Sequence, residues 1–439
     1  MKTVALITLG CAKNLVDSEV MHGYLLRDGF DFVSEPEEAD IIIINTCGFI
    51  RPAKEEATRA IREAVSIKRK NKTLRLVITG CFVQRYQESL KKIYPEVDAW
   101  LGIKDFDRIV DAVRGKSFLS REKTFLYSHT SPRSISTPSG WAYIKISEGC
   151  SHLCSFCSIP QIKGQYRSRS ISSLLAEAES LARSGIKEIN LISQDTTYFG
   201  RDRGMKDGLS CLLQELVLLR GIEWIRILYG YPEEITDALL EVMKEMKICP
   251  YLDIPFQHAN PRILKKMKRG MSGEKALKFI EKIRKRIPRI ALRTSLIVGF
   301  PGEGQKEFAD LLRFVREARF DHLGVFVYSQ EEQTTSFSLG DPIPEDVKQR
   351  RRDKVMEIQA EISAENIRKY VGQKMDVLIE SWSNESSTQS IGRSQFQAPE
   401  VDGVVLVHHP QDAEAPFHPI QKVEILSSDV YDLHGKIVQ

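Results

Sequence analysis

Three cysteines stand within eight residues near the middle of this 439-residue chain, at positions 150, 154 and 157. Their thiolates are soft ligands that suit iron–sulfur clusters or zinc. A four-iron cluster has four corners, so three cysteines would leave one iron open to a substrate or cofactor. A structural zinc site needs four protein ligands, and no fourth Cys or His follows at finger-like spacing. We therefore interpret Cys150, Cys154 and Cys157 as cluster ligands.

Three further cysteines each follow a predicted strand by one or two residues. Helical patterns alternate with strands at 4–9, 41–45 and 74–79, which predicts an N-terminal doubly wound parallel sheet. Ligands bind such sheets beyond the carboxyl ends of the strands. Cys11, Cys47 and Cys81 are 36 and 34 residues apart, one strand–helix repeat each. We predict that they meet at one sheet edge as a second cluster site; three unrelated buried cysteines are the alternative.

The rest of the chain supplies the elements that must position these groups. Six strand patterns, at 143–147, 188–192, 224–228, 251–254, 291–298 and 322–328, alternate with helical patterns and predict a partial (β/α)6 barrel, with its chemistry beyond the strand ends. Five short strand patterns after 371 predict a small antiparallel β-barrel of oligonucleotide-binding type. The α/β chain is thus divided into domains 1–116, 141–370 and 371–439, with a Ser/Thr/Pro-rich linker at 117–140.

Composition excludes several classes of protein. Hydrophobic residues make up 42% and charged residues 28% of the chain, as in globular proteins. A formal net charge of +4 argues neither for nor against a nucleic-acid partner. The N-terminus does not resemble a signal peptide, and the longest aliphatic run, at 41–44, is too short for a bilayer. We expect a cytoplasmic protein without a membrane partner.

The cysteine loop resembles a known signature. Cys-x3-Cys-x-aromatic-Cys, with Phe156 as the aromatic residue, is similar to the motif of the radical S-adenosylmethionine (SAM) enzymes. The resemblance implies a 4Fe–4S cluster on the three cysteines and SAM on its open iron, where reduction yields a deoxyadenosyl radical. It also implies cofactor contacts at and beyond the strand ends, namely Phe156, Gln194, Asp195, Gln257, Arg293 and Gly299.

The N-terminal cysteines carry a narrower resemblance. Their surroundings, Leu-Gly-Cys-Ala-Lys-Asn at 9–14, Asn-Thr-Cys at 45–47 and Thr-Gly-Cys at 79–81, resemble the methylthiotransferases, which insert a methylthio group at an unactivated C–H bond. The Gly-Cys-Ala-Lys-Asn run and Ser-Gln-Asp-Thr at 193–196 are similar to the ribosomal-protein branch of that family (RimO type). Ala-Pro-Glu-Val-Asp-Gly at 398–403 resembles the family's TRAM domain.

This resemblance implies a specific reaction. Members of the branch methylthiolate the β-carbon of an aspartate on the twelfth small-subunit ribosomal protein, with two SAM molecules and two 4Fe–4S clusters. The cluster on Cys150, Cys154 and Cys157 would generate the radical, and the N-terminal cluster would hold the transferred sulfur. The implied partners are the ribosomal protein or the assembled subunit, and an electron donor such as a flavodoxin or ferredoxin. No catalytic acid or base is identified.

Other functions remain open at this point. The nearest alternative is methylthiolation of a modified adenosine in tRNA, which is the same chemistry on another substrate. A non-catalytic iron–sulfur electron carrier is an alternative of a different class, and so is a zinc-stabilised RNA-binding protein. SAM cleavage under a strong reductant separates an enzyme from an electron carrier, and acid-labile sulfide separates an iron–sulfur protein from a zinc protein.

Overall fold

The computed structural model describes residues 2–120, 125–382, 388–409 and 418–438. The chain divides into two compact units. Unit 1 comprises Met1–Ser136, Lys145–Glu177 and Glu331–Phe337, and unit 2 comprises Thr137–Ile144, Ala178–Gln330 and Ser338–Gln439. The cysteine loop at 150–157 therefore lies in the same unit as the N-terminal sheet. This grouping was not expected from the sequence, whose domain boundaries stay a prediction.

Unit 1 is built on the predicted parallel sheet, which has five strands in the order β2-β1-β3-β4-β5. The all-isoleucine run of β3 is buried on both faces, as expected for a central parallel strand. The short outer strands β2 and β5 were not predicted. The elements are β1 (Thr3–Thr8), α1 (Ala12–Arg27), β2 (Asp31–Phe32), β3 (Ile41–Thr46), α2 (Arg51–Lys70), β4 (Arg75–Gly80), α3 (Cys81–Ile93), β5 (Ala99–Leu101) and α4 (Ile109–Val113).

The predicted linker is held against α1 in its described part, which lacks residues 121–124. The buried Arg133 guanidinium binds Glu19 and Glu177, each at 2.6 Å. The backbone N–H of Ser136 donates to the Glu19 carboxylate at 2.8 Å. An ordered loop describes residues 125–136 better than a flexible connector. Beyond it follow β6 (Trp141–Lys145), β7 (Ser147–Glu148), α5 (Ile159–Lys163), β8 (Arg167–Ser168) and α6 (Ile171–Arg183).

The six predicted barrel strands all form, as two three-stranded sheets in the orders β10-β9-β6 and β11-β12-β13. Backbone hydrogen bonds join the two sheets, from Cys249 N–H to the Ile225 carbonyl at 2.9 Å and from Gly230 N–H to the Asp253 carbonyl at 2.8 Å. The elements are β9 (Glu188–Ile192), α7 (Gly208–Leu216), β10 (Trp224–Ile227), α8 (Asp237–Val242), β11 (Tyr251–Asp253), α9 (Pro261–Met267), α10 (Gly273–Arg286), β12 (Ala291–Val298), α11 (Gln305–Ala318), β13 (His322–Val327) and α12 (Glu345–Arg368).

The C-terminal residues form the expected closed barrel, in the order β14-β15-β16-β18-β17. Neighbouring strands are antiparallel except β16 and β18, which are parallel. Residues 383–387 and 410–417 of this region lie outside the described residues. The strands are β14 (Lys374–Ser381), β15 (Gln389–Ser394), β16 (Val405–His408), β17 (Ile420–Ser428) and β18 (Leu433–Ile437).

A loop of this small barrel contacts the first residues of the central strands within unit 2. Asp402 accepts a hydrogen bond from the Tyr251 hydroxyl at 2.7 Å and pairs with Arg293 at 3.4 Å. Glu400 accepts one from the Tyr143 hydroxyl at 2.8 Å. The acidic residues of the TRAM-like Pro-Glu-Val-Asp run thus bind side chains of the six-stranded region.

Candidate active site

The three N-terminal cysteines lie at the carboxyl ends of three adjacent strands. Cys11 directly precedes α1, Cys47 directly follows β3, and Cys81 is the first residue of α3. Strands β1, β3 and β4 are parallel neighbours in register, so their ends share one edge of the sheet. Cys11 is exposed, Cys47 is half-buried and Cys81 is buried.

The backbone of Gly10 lies very close to the side chain of Cys47. Gly10 has a φ of +98°, and a Cβ on it would lie 2.7 Å from the Cys47 Cβ. A side chain at position 10 would therefore meet both backbone strain and a steric clash. This explains why glycine precedes the first cysteine: it lets the Cys11 and Cys47 loops touch.

A buried amide network fixes the three loops to one another. The Asn14 side chain donates to the carbonyls of Leu9 at 2.9 Å and Thr46 at 3.2 Å. The Cys81 thiol lies 3.8 Å from the side-chain oxygen (Oδ1) of Asn14. The Asn45 side chain donates in turn to the Asn14 backbone carbonyl at 2.9 Å. The Asn of the Gly-Cys-Ala-Lys-Asn run thus joins the ends of β1, β3 and the start of α3.

The thiols interact electrostatically. Burial, together with the charge of Cys11, raises the pKa of Cys47 to about 11. Burial also raises the pKa of Cys81; Lys163 opposes that rise, while Cys47 and Cys11 add to it. Buried thiols whose ionisation is disfavoured, as at Cys47 and Cys81, need a cationic centre to become thiolates. The donor set therefore fits an iron–sulfur cluster.

No group of three or more His, Cys, Asp or Glu side chains in the described parts of the chain is arranged to hold a metal ion. Cysteines that bind a cluster contact different iron atoms, so they need not converge on one point. No two of the eight cysteines are joined by a disulfide. The thiol groups thus remain available as ligands.

The second set of cysteines lies between β7 and α5, also in unit 1. Cys150 is buried, and Cys154, Cys157 and the aromatic Phe156 are half-buried. The backbone N–H of Cys157 donates to the Cys154 carbonyl at 3.2 Å, which closes a tight turn. The Ser158 hydroxyl, one residue beyond Cys157, lies 3.5 Å from the Phe49 carbonyl oxygen, two residues beyond Cys47. The two cysteine sites are therefore neighbours.

Four buried charges, from two lysines and two carboxylates, pair with one another in unit 1. The ammonium of Lys163 is 3.3 Å from Asp17 and 3.1 Å from Glu148. Lys145 binds the same two carboxylates, and its distance to Glu148 is 2.6 Å. Burial alone would raise the pKa of Glu148, but the two ammonium groups outweigh it and lower that pKa to about 2. The charges balance, and Lys163 also interacts electrostatically with Cys81.

Of these four residues, the sequence motifs included only Asp17, within the Asp-Ser-Glu run at 17–19. Glu148 could have been predicted as a site residue, because it stands two residues before Cys150 in the sequence. Lys145 and Lys163 carried no local signal, since a lysine in a strand or short helix is usually solvated. Only their placement at 3% side-chain exposure marks them.

The expected SAM contacts lie in unit 2, apart from Phe156. Gln194 and Asp195 follow β9, where Asp195 accepts from the Thr197 backbone N–H at 2.9 Å. Nearby, the fully buried side chains of Asn190 and Ser193 have no hydrogen-bond partner among the described residues. Buried polar atoms of this kind fit a site that receives a polar ligand. Asn190 was not anticipated.

The structure separates two of the other expected contacts. Gly299 directly follows β12, whereas Arg293 is the third residue of that strand, about 20 Å away at the strand rise. Arg293 is already paired with Asp253 at 3.1 Å and with Asp402. Gln257 pairs with β12 near its carboxyl end, because its carbonyl accepts from Ile297 N–H at 2.7 Å. Gln257 and Gly299 are therefore at one end, and Arg293 is at the other.

The Gly299 turn is braced by buried charges. Its backbone N–H donates to the Glu303 carboxylate at 3.0 Å, and Arg351 binds that carboxylate at 2.8 Å. His258 lies 3.3 Å from the same carboxylate and accepts the Asn260 N–H on its other ring nitrogen. His258 therefore has a hydrogen bond at Nδ1, while its buried Nε2 faces the Glu303 carboxylate without a hydrogen-bond partner among the described residues.

We predict that Gly299→Ala weakens SAM binding by roughly tenfold, about 1.4 kcal/mol. Gly299 has a φ of +78°, and a Cβ there would lie 2.3 Å from the Lys348 side chain, which Asp341 anchors at 2.7 Å. The turn must shift to accommodate it. Equilibrium binding of SAM to the reconstituted protein measures the effect. Gly340→Ala is the matched control, with a φ of +68° and nothing within 4 Å of the added Cβ; equal weakening by both variants would contradict the prediction.

Models of three protein families match consecutive parts of the chain. The uncharacterized protein family UPF0004 matches residues 3–102, the radical SAM superfamily matches residues 144–315, and the TRAM domain matches residues 371–438. The first match covers the three N-terminal cysteines and the second covers Cys150, Cys154 and Cys157. The class of protein defined by the fold and the cysteine loop is thus a radical SAM enzyme.

Relatives match the chain over its full length. The "Ribosomal protein uS12 methylthiotransferase RimO" of Syntrophotalea carbinolica is 46% identical, with 100% of this chain and 97% of the relative covered. The protein of the same name from Geotalea uraniireducens is 46% identical, with 99% of this chain and 98% of the relative covered. The one from Desulfitobacterium hafniense is 43% identical, with 100% of this chain and 99% of the relative covered. The chain belongs to the RimO family of radical SAM methylthiotransferases.

Solved structures agree with the fold. The radical SAM methyltransferase TsrM from Kitasatospora setae, with cobalamin and a [4Fe-4S] cluster bound, has a TM-score of 0.52 at 16% identity, over 74% of this chain and 75% of its own. At that identity the likeness concerns the fold alone. Among the helices in the described parts of the chain, none combines the length and apolar character that crossing a membrane requires.

Proposed function

We propose that this protein methylthiolates the β-carbon of an aspartate on ribosomal protein uS12, the twelfth protein of the small subunit. The observation that carries the proposal is the contact between the two cysteine loops within unit 1, at Ser158 and Phe49. A radical generator alone needs one such site. A second set of three cysteines beside it supports the transfer of a sulfur group, and the full-length relatives support uS12 as its acceptor.

The two sets of cysteines have separate roles in this proposal. Cys150, Cys154 and Cys157 hold a 4Fe–4S cluster with an open iron for SAM, and Cys11, Cys47 and Cys81 hold a second cluster. When bound, these groups supply the one-electron chemistry that activates a C–H bond and the sulfur that replaces its hydrogen. A second SAM supplies the methyl group. The first set is the family signature, and the second set distinguishes the methylthiotransferases.

The chain's own residues orient and shield these groups. Gln257 and the Gly299 turn lie at one end of β12, beyond which the adenine portion of SAM would bind, and Gln194 and Asp195 lie beyond β9 toward the methionine portion. Phe156 belongs to the cysteine loop itself and is half-buried there. The paired charges of Lys145, Lys163, Asp17 and Glu148 neutralise one another where water is excluded.

The partners follow from the substrate. The acceptor is uS12, alone or within the small ribosomal subunit, so we place the protein in the cytoplasm. Reduction needs a one-electron donor, for which a flavodoxin or ferredoxin is suitable. The acidic and basic residues of the TRAM-like barrel offset one another, which fits a protein acceptor at least as well as tRNA.

The test is a substrate mass measurement. Anaerobically reconstituted full-length protein is incubated with SAM and reductant, and with small subunits, purified uS12 or tRNA in parallel. We expect the mass increase of one methylthio group on uS12, and none on uS12 whose target aspartate is replaced by alanine. A gain on tRNA alone would contradict the proposal. Absence of SAM cleavage would indicate an electron carrier, and zinc without acid-labile sulfide would exclude the radical mechanism.

A further inference from the structure

The segment Glu331–Phe337, here called the tether, belongs to unit 1 although it follows the last barrel strand in sequence. Three of its side chains are buried: Glu331 and Ser336 at 1% exposure and Thr334 at 7%. The hydroxyl of Thr334 donates to the Glu331 carbonyl at 2.7 Å, which closes a turn inside the segment. Buried polar groups of this kind need hydrogen-bond or ion-pair partners. The partners of the tether are residues next to the two sets of cysteines.

One end of the tether holds the Cys47 loop through Arg85. The Glu331 carboxylate is 2.8 Å from the Arg85 guanidinium, and both side chains are 1% exposed. The same guanidinium nitrogen donates to the carbonyl of Gly48 at 3.0 Å, directly after Cys47. The other terminal nitrogen donates to the Glu332 carbonyl at 2.6 Å. Lys54 of α2 adds a second ion pair to Glu331 at 2.7 Å.

The other end holds the loop of Cys154 and Cys157. The backbone N–H of Ser336 donates to the Ser155 carbonyl at 2.8 Å, and the Thr335 hydroxyl lies 3.4 Å from the same oxygen. Ser155 stands directly after Cys154. The Gln161 side chain of α5 donates to the Gln333 carbonyl at 3.0 Å. One seven-residue segment therefore contacts the loop of Cys154 and Cys157 directly and is linked to the Cys47 loop through Arg85.

We propose that the tether sets the separation of the two cysteine sites, with Glu331 as its positioning residue. Buried and bound to two cations, Glu331 has no freedom to shift without breaking a desolvated ion pair. Radical generation depends on one site alone, whereas group transfer depends on the alignment of both, and displacements of about 1 Å can cost roughly a hundredfold in rate. Loosening the tether uncouples the two events. This inference rests on the proposed function.

The test uses the full-length, reconstituted protein and the variant Glu331→Gln, which keeps the shape and removes the charge. We expect iron content as in the wild type and SAM cleavage within about twofold, while methylthiolated product per SAM cleaved falls roughly tenfold or more. The magnetic interaction between the two reduced clusters, measured by electron paramagnetic resonance without substrate, changes as well. A residue with a merely structural role would lower iron content or both activities together.

Two further variants make the outcome decisive. Glu55→Gln makes the same chemical change at an exposed residue next to Lys54 that lies outside the tether, and it leaves both readouts unchanged. Lys54→Met removes only the outer of the two ion pairs and lowers the product ratio by about twofold to fivefold. If Glu331→Gln keeps the wild-type ratio and spectrum, the proposal is wrong. If that variant fails to fold, an unchanged ratio in Lys54→Met overturns it.

The wild-type protein separates this inference from the proposed function. Wild-type protein that cleaves SAM without modifying uS12 would contradict the proposed function. The magnetic interaction between the clusters needs no acceptor and would still test the tether.

Discussion

Replacing Cys11, Cys47 and Cys81 together by alanine should abolish methylthio transfer while reductive SAM cleavage continues. These three cysteines lie on the sheet edge of unit 1, and Cys150, Cys154 and Cys157 lie on a separate loop between β7 and α5. Loss of outer-sphere partners alone costs roughly 10–100-fold at metal sites. Loss of all three ligands should therefore reduce product below about one-hundredth of the wild-type amount.

The complementary variant should lose both reactions. With Cys150, Cys154 and Cys157 replaced by alanine, no site remains for the SAM that initiates the chemistry. Each triple variant should hold about half the iron of the wild type if each site binds one four-iron cluster. Iron and acid-labile sulfide analysis, deoxyadenosine formation and uS12 mass measure the three outcomes on the same samples.

Cys211→Ala is the matched control, since Cys211 is exposed on α7 and belongs to neither set. It should leave iron, SAM cleavage and product unchanged. The N-terminal triple variant removes the buried Cys81 sulfur, so circular dichroism and thermal melting must show that its sheet is intact. Full product formation by that variant would show that the N-terminal cysteines hold no required group.

The second prediction concerns stability. Glu188→Gln should destabilise unit 2 by about 3–5 kcal/mol. Glu188 stands alone between two buried guanidinium groups, 2.9 Å from Arg226 and 2.7 Å from Arg393, and all three side chains are at most 1% exposed. Replacing the Glu188 carboxylate leaves the desolvated guanidinium groups of Arg226 and Arg393 facing a neutral amide. Glu380 still pairs with Arg393 at 2.7 Å, whereas Arg226 keeps hydrogen bonds to the backbone carbonyls of residues 394 and 395 and a cation–π contact with Tyr251, but no carboxylate among the described ion pairs.

A chain with two compact units need not unfold in one step, so the measurement is the melting transition that reports unit 2, by calorimetry. We expect it to fall by roughly 6–20 °C. Glu223→Gln is the control, because Glu223 is 40% exposed and pairs with Lys187 and His418 at the surface. That change should stay within about 0.5 kcal/mol. A Glu188→Gln melting temperature within the control's range would contradict the prediction.

The same ion pairs predict a pH dependence. Burial alone would raise the pKa of Glu188, but the guanidinium groups of Arg393 and Arg226 outweigh it, so its pKa is lowered. The folded state therefore holds this proton less tightly than the unfolded chain does. Its stabilisation is complete above the unfolded-state pKa of about 4.3 and is lost as the pH falls below that value toward the folded-state pKa. The difference between wild type and Glu188→Gln should shrink over that range.

Much of the fold was predictable because it follows from local pattern. The isoleucine run at 41–44 predicts a central parallel strand, and the structure buries it on both faces. All six barrel strands and the five strands of the small barrel form, and the predicted fold class is confirmed. Strands β2 and β5 were missed because two or three residues are too few to show a pattern. Helix α9 could have been found, since Asn260 caps it and a proline follows.

The sequence by itself determined the six cysteines and the strands that carry them. The residue type and the spacing of candidate ligands are both properties of the sequence. The sequence motifs around these cysteines were enough to predict a radical SAM methylthiotransferase of the ribosomal-protein branch. The roles of the cysteines and of the SAM contacts stay predictions, and the variants above test them.

Only the tertiary structure decided which residues surround the cysteines. Lys145 and Lys163 meet Asp17 and Glu148 from distant parts of the chain, and the tether reaches the Cys47 loop from Glu331 through Arg85. A buried charge is stable only with a partner of opposite sign at a few ångströms, and that partner is chosen by packing, not by sequence distance. For this reason the candidate ligands could be predicted from the sequence, whereas the charged groups around them could not.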